Sequence, residues 1–595
     1  MCGIGGALHV DVRRGEDLPL AGRALRERLA HRGPDGEGAY VGDGAWLVHT
    51  RLALVDIAGG AQPLQTPDGR FTLVVNGEIY GHRARREALL ARGAVFRTTS
   101  DAEVLLWAIA LDGPEAVAHL EGEYAFCVWD SVARRAWLGR DLLGVKPLVL
   151  ARRGRSLWFA SEAQALRAAL PGLEVDVDAV ARAFACPPLS GSDALPYRGV
   201  ESAPAGVVLE VSDGDVRVVV DRRRRRKSAA ADLDGALVAA LRAAVSDRID
   251  ADVEVGAFLS GGVDSTAMVA AALDDPRAPR PLRCTSIAYA GPRRAGSIVV
   301  GDDAEHVRGL AARWPLALTT IGSVDDAERL RVLEAVWASQ DRIAAWEQEL
   351  SQRRLAEAAV KSIKAVLVGD AADETHAGYT FLLETPTCLH PAAFVARFGG
   401  ALRRAMLRPE RRGAVDDIID DALAVASAHD APFGGSDVNA ARRATTAVIQ
   451  GRWLPRLLHN GDLHTMAVSL EARVPFADER VVAVADAIDV NDAYAEEDDD
   501  DPVPEKRVLR RALRGLVPAS ILARRKSALP RDEDAGPHFQ RLLRERLDGS
   551  GRERLATIVD IDAARALLDR DPHDDVVRAA LFSTLSVEAF LRHHG

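Results

Sequence analysis

Short apolar runs separated by turns rich in glycine, aspartate and asparagine fill roughly the first 170 residues. Leu73–Val75, Tyr124–Trp129 and Leu157–Ala160 read as strands. Two stretches, 20–30 and 101–112, instead repeat apolar residues at helical spacing. The second follows Ser100, with Glu103 three residues on, which is the pattern of a capping box. Strands with few crossovers predict a layered, largely antiparallel α+β domain. A further strand pair is expected at Gly206–Val211 and Val216–Val220.

The pattern changes from residue 232 onward, where helical periodicity dominates and alanine, leucine and arginine rise. Val253–Leu259 reads as a buried strand running into a glycine turn and a helix over 264–274, and Ala365–Val368 repeats the strand-then-turn order. This predicts a parallel α/β domain. Between the two textures lie six consecutive basic residues, Arg222–Arg226 and Lys227; with no aromatic interleaved, they read as a solvated interdomain linker. Glu496–Asp501, followed by Pro502 and Pro504, reads as an exposed loop. The expected division is therefore residues 1–215, a basic linker at 216–231, and residues 232–595.

Composition narrows the function classes. Of 595 residues, 48% are hydrophobic and 27% charged, which suits a folded globular chain rather than a disordered one. Lysine and arginine total 76 against 87 acids, a net charge of −11, which argues against a nucleic-acid partner. Cys2, Cys127, Cys186, Cys284 and Cys388 form no CxxC pair, which argues against a disulfide framework or structural zinc and fits a reducing cytoplasm. No apolar run reaches about 18 residues, so no membrane span is expected. The N-terminus does not read as a signal peptide.

Cys2 follows the initiator methionine. Trimming that methionine would leave Cys2 an α-amine, with a reference pKa of about 8, as the base for its own thiol. A thiolate attacking a carboxamide develops an oxyanion, which the Asn76 side-chain NH₂ and the Gly77 backbone N–H can receive. A free amino acid also needs its charges held: Arg51 suits the α-carboxylate as a bidentate fork, and Glu78 and Asp101 suit the α-ammonium. With CGIG at 2–5, HRGPDG at 31–36, RLALVDI at 51–57, AQPL at 61–64, NGEIY at 76–80, SDAE at 100–103, LEGEYAF at 120–126, GRDLLGVKPL at 139–148 and ASE at 160–162, residues 1–165 resemble the class II glutamine amidotransferases. Asp141 and Lys146, within these motifs, read as support for the fold.

Between the predicted strand and helix of the second half lies Leu259-Ser260-Gly261-Gly262-Val263-Asp264-Ser265. Glycines let backbone N–H groups close on an anion, a helix N-terminus adds its dipole, and Ser260 and Ser265 can donate further hydrogen bonds. No lysine follows, so this is not the loop of γ-phosphate-transferring enzymes; it resembles the SGGxDS signature of ATP pyrophosphatases. Val368-Gly369-Asp370-Ala371-Ala372-Asp373-Glu374 is a second, carboxylate-bearing turn after a strand. With SLEARVPF at 469–476 and Lys506–Arg510, the whole chain resembles the glutamine-hydrolysing asparagine synthetase family, B type.

That resemblance implies an N-terminal-nucleophile (Ntn) hydrolase αββα sandwich followed by an α/β ATP-pyrophosphatase domain of the adenine nucleotide alpha hydrolase type. It implies glutamine hydrolysis at Cys2, transfer of ammonia through the interior, and amidation of a carboxylate activated as its AMP ester, with release of pyrophosphate. Glutamine, ATP and a carboxylate acceptor are the implied small-molecule partners; a homodimer is left open. Nucleotide contacts carry over to Leu259, the SGGVDS loop, Ile287, Val368 and Gly369. Asp264 and Asp373 carry over as ligands of Mg²⁺, Asp370 as the group that takes a proton from the attacking ammonia, and Lys526 as a cation for the charge developing on the adenylate and pyrophosphate.

Family members that make asparagine usually carry Thr-Thr-x-Arg-x-Ser-x-Pro about 20 residues before the carboxylate turn. Counting back without gaps from Asp370, Trp346 stands where that arginine would be, followed by Glu347. The turn lacks a glycine after Asp370, Glu374-Thr375-His376 replaces the usual Glu-Leu-Phe, and Ser527–Pro530 lacks the family's Gly-Phe. Trp346, Glu347, Asp370 and Glu374 are the expected acceptor pocket, and the expected acceptor is a non-aspartate carboxylate of a biosynthetic pathway; the alternative is aspartate itself. A relic glutaminase half, as in the β-lactam synthetases, fits poorly with Cys2 and Asn76-Gly77, and a sugar-phosphate amidotransferase would need an isomerase half instead of SGGVDS.

Overall fold

The computed structural model describes residues 2–9, 18–191, 195–223, 227–289, 303–344, 346–433, 437–493 and 503–595. The acidic run at 496–501 and Arg224–Arg226 of the basic run lie outside the described residues.

The first domain is two stacked six-stranded antiparallel sheets. One runs, edge to edge, Val200–Ser202, Val149–Arg153, Ser156–Ala160, Cys2–Leu8, Ala45–Arg51, Gly36–Gly42. The other runs Asp215–Asp221, Val207–Ser212, Arg135–Arg140, Gly122–Asp130, Phe71–Ile79, Leu64–Gln65. Ile4, Leu8, Leu47, Val74, Cys127, Trp129, Leu138 and Phe159 fill the space between the sheets. On the outer faces, Leu18–Leu29 and Ala163–Ala169 cover the first sheet, and Asp101–Asp112 covers the second. Because helices cover the outer faces, the central strands are buried on both sides and read as continuous apolar runs rather than alternating ones. The result is the αββα sandwich.

Asp101–Asp112 matches the helix expected from its pattern, and Ser100 Oγ accepts from the Ala102 N–H at 3.2 Å. Glu103 does not close the reciprocal capping box; its carboxylate accepts from the Arg97 N–H at 2.9 Å and the Thr98 N–H at 2.8 Å. Ser100→Ala is expected to cost about 1 kcal/mol, read as a lower urea midpoint for the transition of this domain.

Two expectations about the domain boundary are corrected. Asp215–Asp221 is the edge strand of the second sheet, so the sandwich extends to Asp221 and takes in the first residues of the expected linker. Arg222 is not solvated either: its guanidinium donates to Tyr124 Oη at 2.9 Å and pairs with Glu479 of the second domain. A half-buried carboxylate and a buried phenol draw the first of the six cations inward, which a count of charges along the chain does not register. The strand expected to end at Val75 runs on to Ile79.

The second domain holds a five-stranded parallel sheet in the order Leu316–Ile321, Leu282–Ile287, Val255–Phe258, Ala365–Leu367, Glu471–Arg473. Leu233–Ile249 packs on Val263–Asp274, and Gln348–Ala359 on Leu454–Met466, covering an alanine-, valine- and leucine-rich core. The chain starts the sheet at its centre, builds outward to one side, then returns to build the other. That reversal opens a crevice at the carboxyl ends of Val255–Phe258 and Ala365–Leu367. Among the described residues no helix is long and apolar enough to cross a membrane.

Buried ions tie the domains together. Glu123 lies 3.1 Å from Lys146 and 2.8 Å from Arg248, which reaches Asp478 at 2.8 Å. Arg32 reaches Glu162 and Asp462, both at 2.8 Å. Charges this deep persist only when each has its counter-ion, so removing one partner would strand the other.

Candidate active sites

Cys2 opens the strand Cys2–Leu8 and lies opposite Arg51 in the neighbouring strand. Its backbone nitrogen donates to Asn76 Oδ1 at 2.9 Å, and its carbonyl accepts from Arg32 Nε at 3.1 Å. Asn76 Nδ2 is buried with no hydrogen-bond partner, a donor left open beside the thiol. Gly77 sits at φ +139°, and a Cβ there would stand 2.0 Å from the Glu123 carbonyl oxygen, so only glycine keeps this N–H in place. Burial pushes the Cys2 thiol up from its ordinary value, so the nucleophile needs a base.

Glu78 and Asp101 are both buried and close enough for their charges to interact. Asp101 Oδ2 accepts from the Ile79 N–H at 2.7 Å. Burial is the largest influence on both carboxyls and raises them. Arg51 donates to the carbonyls of Ile57 at 2.9 Å and Asp56 at 2.5 Å, which holds the 55–57 loop across this end of the sandwich. Thus Cys2, Arg51, Asn76, Gly77, Glu78 and Asp101, scattered over a hundred residues, share one end of the sandwich.

The second site is the crevice of the parallel sheet, a cleft of about 220 Å³ lined by Leu259, Ser260, Gly262, Asp264, Ser265, Ile287, Val368, Gly369, Asp370, Asp373 and Lys526. Ser260 and Ser265 join hydroxyls at 3.0 Å, and Ser260 Oγ accepts from the Gly262 N–H at 3.3 Å, which curls the loop at the N-terminus of Val263–Asp274. Gly261 takes φ +70°, where a Cβ would press on His306 at 2.9 Å.

Lys506 has no role in the sequence reading, yet its ammonium bridges the two carboxylates expected to bind metal: it pairs with Asp264 and lies 2.6 Å from Asp373 Oδ1. Lys526 pairs with Asp373 as well. Burial works hardest on Asp373, upward, but the two lysines together outweigh it and hold the carboxyl down at about 2. Asp370 has less help: burial pushes it up to about 6, with Lys526 opposing. A carboxyl poised there can accept a proton near neutral pH.

The expected acceptor pocket is brought together only in part. Asp370 lines the cleft; Trp346, Glu347 and Glu374 do not. Trp346 stacks on Trp453 with centroids 6.4 Å apart, and Trp453 stacks on Tyr379 at 4.8 Å. Glu347 pairs with Arg578 through both oxygens, the low-energy arrangement for a buried carboxylate beside a guanidinium. Glu374 accepts from the Tyr379 hydroxyl, and burial, then Asp373, push it up to about 7.

The cleft's inner wall includes Gly461, Thr465 and Ala472. Ala472 sits between Glu471 and Arg473; Arg473 pairs with Glu471 and stands 3.2 Å from Glu78 of the first site. Arg32, Asp462, Glu471 and Arg473 therefore belong to the junction of the two sites. In the chain, Arg32 is marked only by the HRGPDG motif and Glu471 and Arg473 by SLEARVPF, while Asp462 lies in neither.

Comparison with known proteins accounts for both halves. A glutamine amidotransferase domain model matches residues 1–222, and an asparagine synthase model matches residues 236–592. A putative asparagine synthetase [glutamine-hydrolyzing] of Mycobacterium bovis is 30% identical, with 93% of this chain and 90% of that one aligned. Asparagine synthetase [glutamine-hydrolyzing] 3 of Bacillus subtilis is 29% identical over 89% of this chain and 87% of its own. Asparagine synthetase B of Escherichia coli is 30% identical over 65% and 66%. With Cys2 and Asn76-Gly77 together in the sandwich, a serine–glycine loop in the parallel domain, and relatives that span both, the chain belongs to the glutamine-hydrolysing asparagine synthetase family of ligases.

Proposed function

We propose that this ligase hydrolyses glutamine at Cys2, passes ammonia through its interior, and amidates a carboxylate other than aspartate after activating it as an acyl-adenylate. The acceptor reading is carried by Trp346, an apolar ring packed on Trp453 where asparagine-forming relatives usually carry an arginine able to grip a carboxylate. A cytoplasmic setting is part of the reading, supported by five free cysteines.

In the first site the α-amine of processed Cys2 takes the thiol proton and the sulfur attacks the glutamine carboxamide carbon. The oxyanion that forms is received by Asn76 Nδ2 and the Gly77 N–H. Arg51 holds the α-carboxylate, and Glu78 and Asp101 hold the α-ammonium. The amine returns its proton to the departing ammonia, and water then releases glutamate from the thioester. The route to the second site is supported by the strand Glu471–Arg473, which borders both sites.

In the second site the acceptor carboxylate attacks the α-phosphorus of ATP, and pyrophosphate leaves against the Ser260–Ser265 loop and Lys526. Leu259, Ile287, Val368 and Gly369 flank the nucleotide. Ammonia then attacks the acyl carbon, Asp370 takes its proton, and AMP departs. Asp264 and Asp373 fit Mg²⁺: they are hard oxygen donors, Asp264 Oδ1 is buried with no hydrogen-bond partner, and a cation, Lys506, already bridges the pair. Bound there, Mg²⁺ would neutralise charge on the phosphates.

Incubation with glutamine, ATP, Mg²⁺ and aspartate is expected to release glutamate but to yield no asparagine and no pyrophosphate above background. Robust asparagine formation would overturn the acceptor reading in favour of aspartate, the reading that the relatives' names support.

A further inference from the structure

We infer that Arg473, supplied by the second domain, is a positioning residue of the glutaminase: its anchored guanidinium stands beside Glu78 and leaves the Glu78 oxygens open for the α-ammonium of glutamine. The inference rests on the reading that Glu78 receives that ammonium. Arg473 is fully buried. Its Nε donates to Glu471 Oε1 at 2.5 Å and its Nη1 to the Arg248 carbonyl at 2.6 Å. These two anchors fix the guanidinium. Its Nη2 then stands 3.2 Å from Glu78 Oε1, at ion-pair distance but without hydrogen-bond alignment, so this buried donor has no hydrogen-bond partner.

The offset gives the pair its use. A guanidinium that gripped Glu78 by a bidentate fork would occupy the oxygens an ammonium ligand needs. Held off by Glu471 and the Arg248 carbonyl, Arg473 supplies charge and leaves those oxygens open. That charge matters, because burial, the Asp101 carboxylate and Glu471 push the Glu78 carboxyl up, and Arg473 is the strongest group opposing them and favouring the carboxylate that an ammonium pairs with. A neutral Glu78 would hold an ammonium poorly. The placement follows from strand geometry: successive side chains point to opposite sides, so Ala472 faces the nucleotide cleft while Glu471 and Arg473 face the glutaminase. The glutamine pocket is thus completed by a residue from the domain that consumes the ammonia.

The test is a set of three variants, R473M, E78Q and E78Q/R473M, assayed for glutamate release and for alkylation of Cys2. One alkylating agent is amino-acid-shaped, 6-diazo-5-oxo-L-norleucine; the other, iodoacetamide, has no ammonium. R473M is expected to raise KM for glutamine at least about tenfold with little change in kcat, and to slow the diazo reagent while iodoacetamide reacts at the wild-type rate. A residue that acted only through packing would move both reagents together. E78Q/R473M removes both buried charges at once, which avoids stranding either, and is expected to match E78Q alone. If E78Q raises KM but R473M does not, or if the double variant is worse than E78Q by the full R473M factor, the role of Arg473 is overturned. If R473M proves insoluble, the comparison of the double variant with E78Q decides. If E78Q leaves KM unchanged, the ammonium reading falls and takes this inference with it.

Discussion

Replacing Cys2 by alanine is expected to cut glutamate release from glutamine by at least about a thousandfold, the scale on which removal of a covalent nucleophile acts, while ATP binding stays as in the wild type. The loss is specific because everything else in the first site survives: the Asn76 donor, the Gly77 N–H and the Glu78–Asp101 pair do not depend on the sulfur for their positions. Without the thiolate, water, a far weaker nucleophile, must attack the carboxamide directly. Binding of a fluorescent ATP analogue reads the second site independently, since its loop is ordered by Ser260, Ser265 and Gly262 rather than by anything from the sandwich. Residual hydrolysis above one per cent would mean that the thiol is not the nucleophile.

Asp370→Asn is expected to leave glutamate release intact and to lower amide formation from added ammonia by about 10²- to 10⁴-fold, the usual contribution of a general base. The measurement uses the carboxylate that supports AMP release. Exchange of labelled pyrophosphate into ATP should persist, because adenylation precedes the step that needs the base. The wild type should show its pH dependence at the same step. Burial raises the Asp370 carboxyl to about 6, so the base form is present above that pH and is lost as the pH falls through it. Amide formation, corrected for the fraction of ammonia that is unprotonated, should therefore drop below about pH 6 in the wild type, and this limb should be absent in the variant. Lys526, the cation nearest in influence, opposes the rise, so its removal should shift the limb to higher pH.

Much of this protein was legible in its chain because the information is local. Asp101–Asp112 announces itself by Ser100 and a helical run, and the SGGVDS turn must lie between a strand and a helix for its glycines to be useful. The boundary at Asp221 was misread because charge outweighed alternation: Val216–Val220 reads as a strand, but the six basic residues beside it read as solvent. Arg222 shows the error physically, since its charge is neutralised by Glu479, more than 250 residues away. The surroundings of the expected acceptor residues were hidden for a related reason. Glu347 and Trp346 were judged by what stood near them in the chain, yet Arg578 and Trp453 decide where they point.

By itself the sequence pointed to the chemistry through short motifs: Cys2 with its glycines, the Asn76-Gly77 pair, a serine–glycine loop without a P-loop lysine, and the carboxylate-bearing turn at 368–374, each read from residues a few positions apart. Tertiary structure decided how those parts are joined. Lys506 between Asp264 and Asp373, Arg32 between Cys2 and Asp462, and Arg473 beside Glu78 all pair residues from distant segments. Such pairs form because a buried charge must find its counter-ion wherever the fold brings one near, and neither partner alone carries a local pattern that names the other.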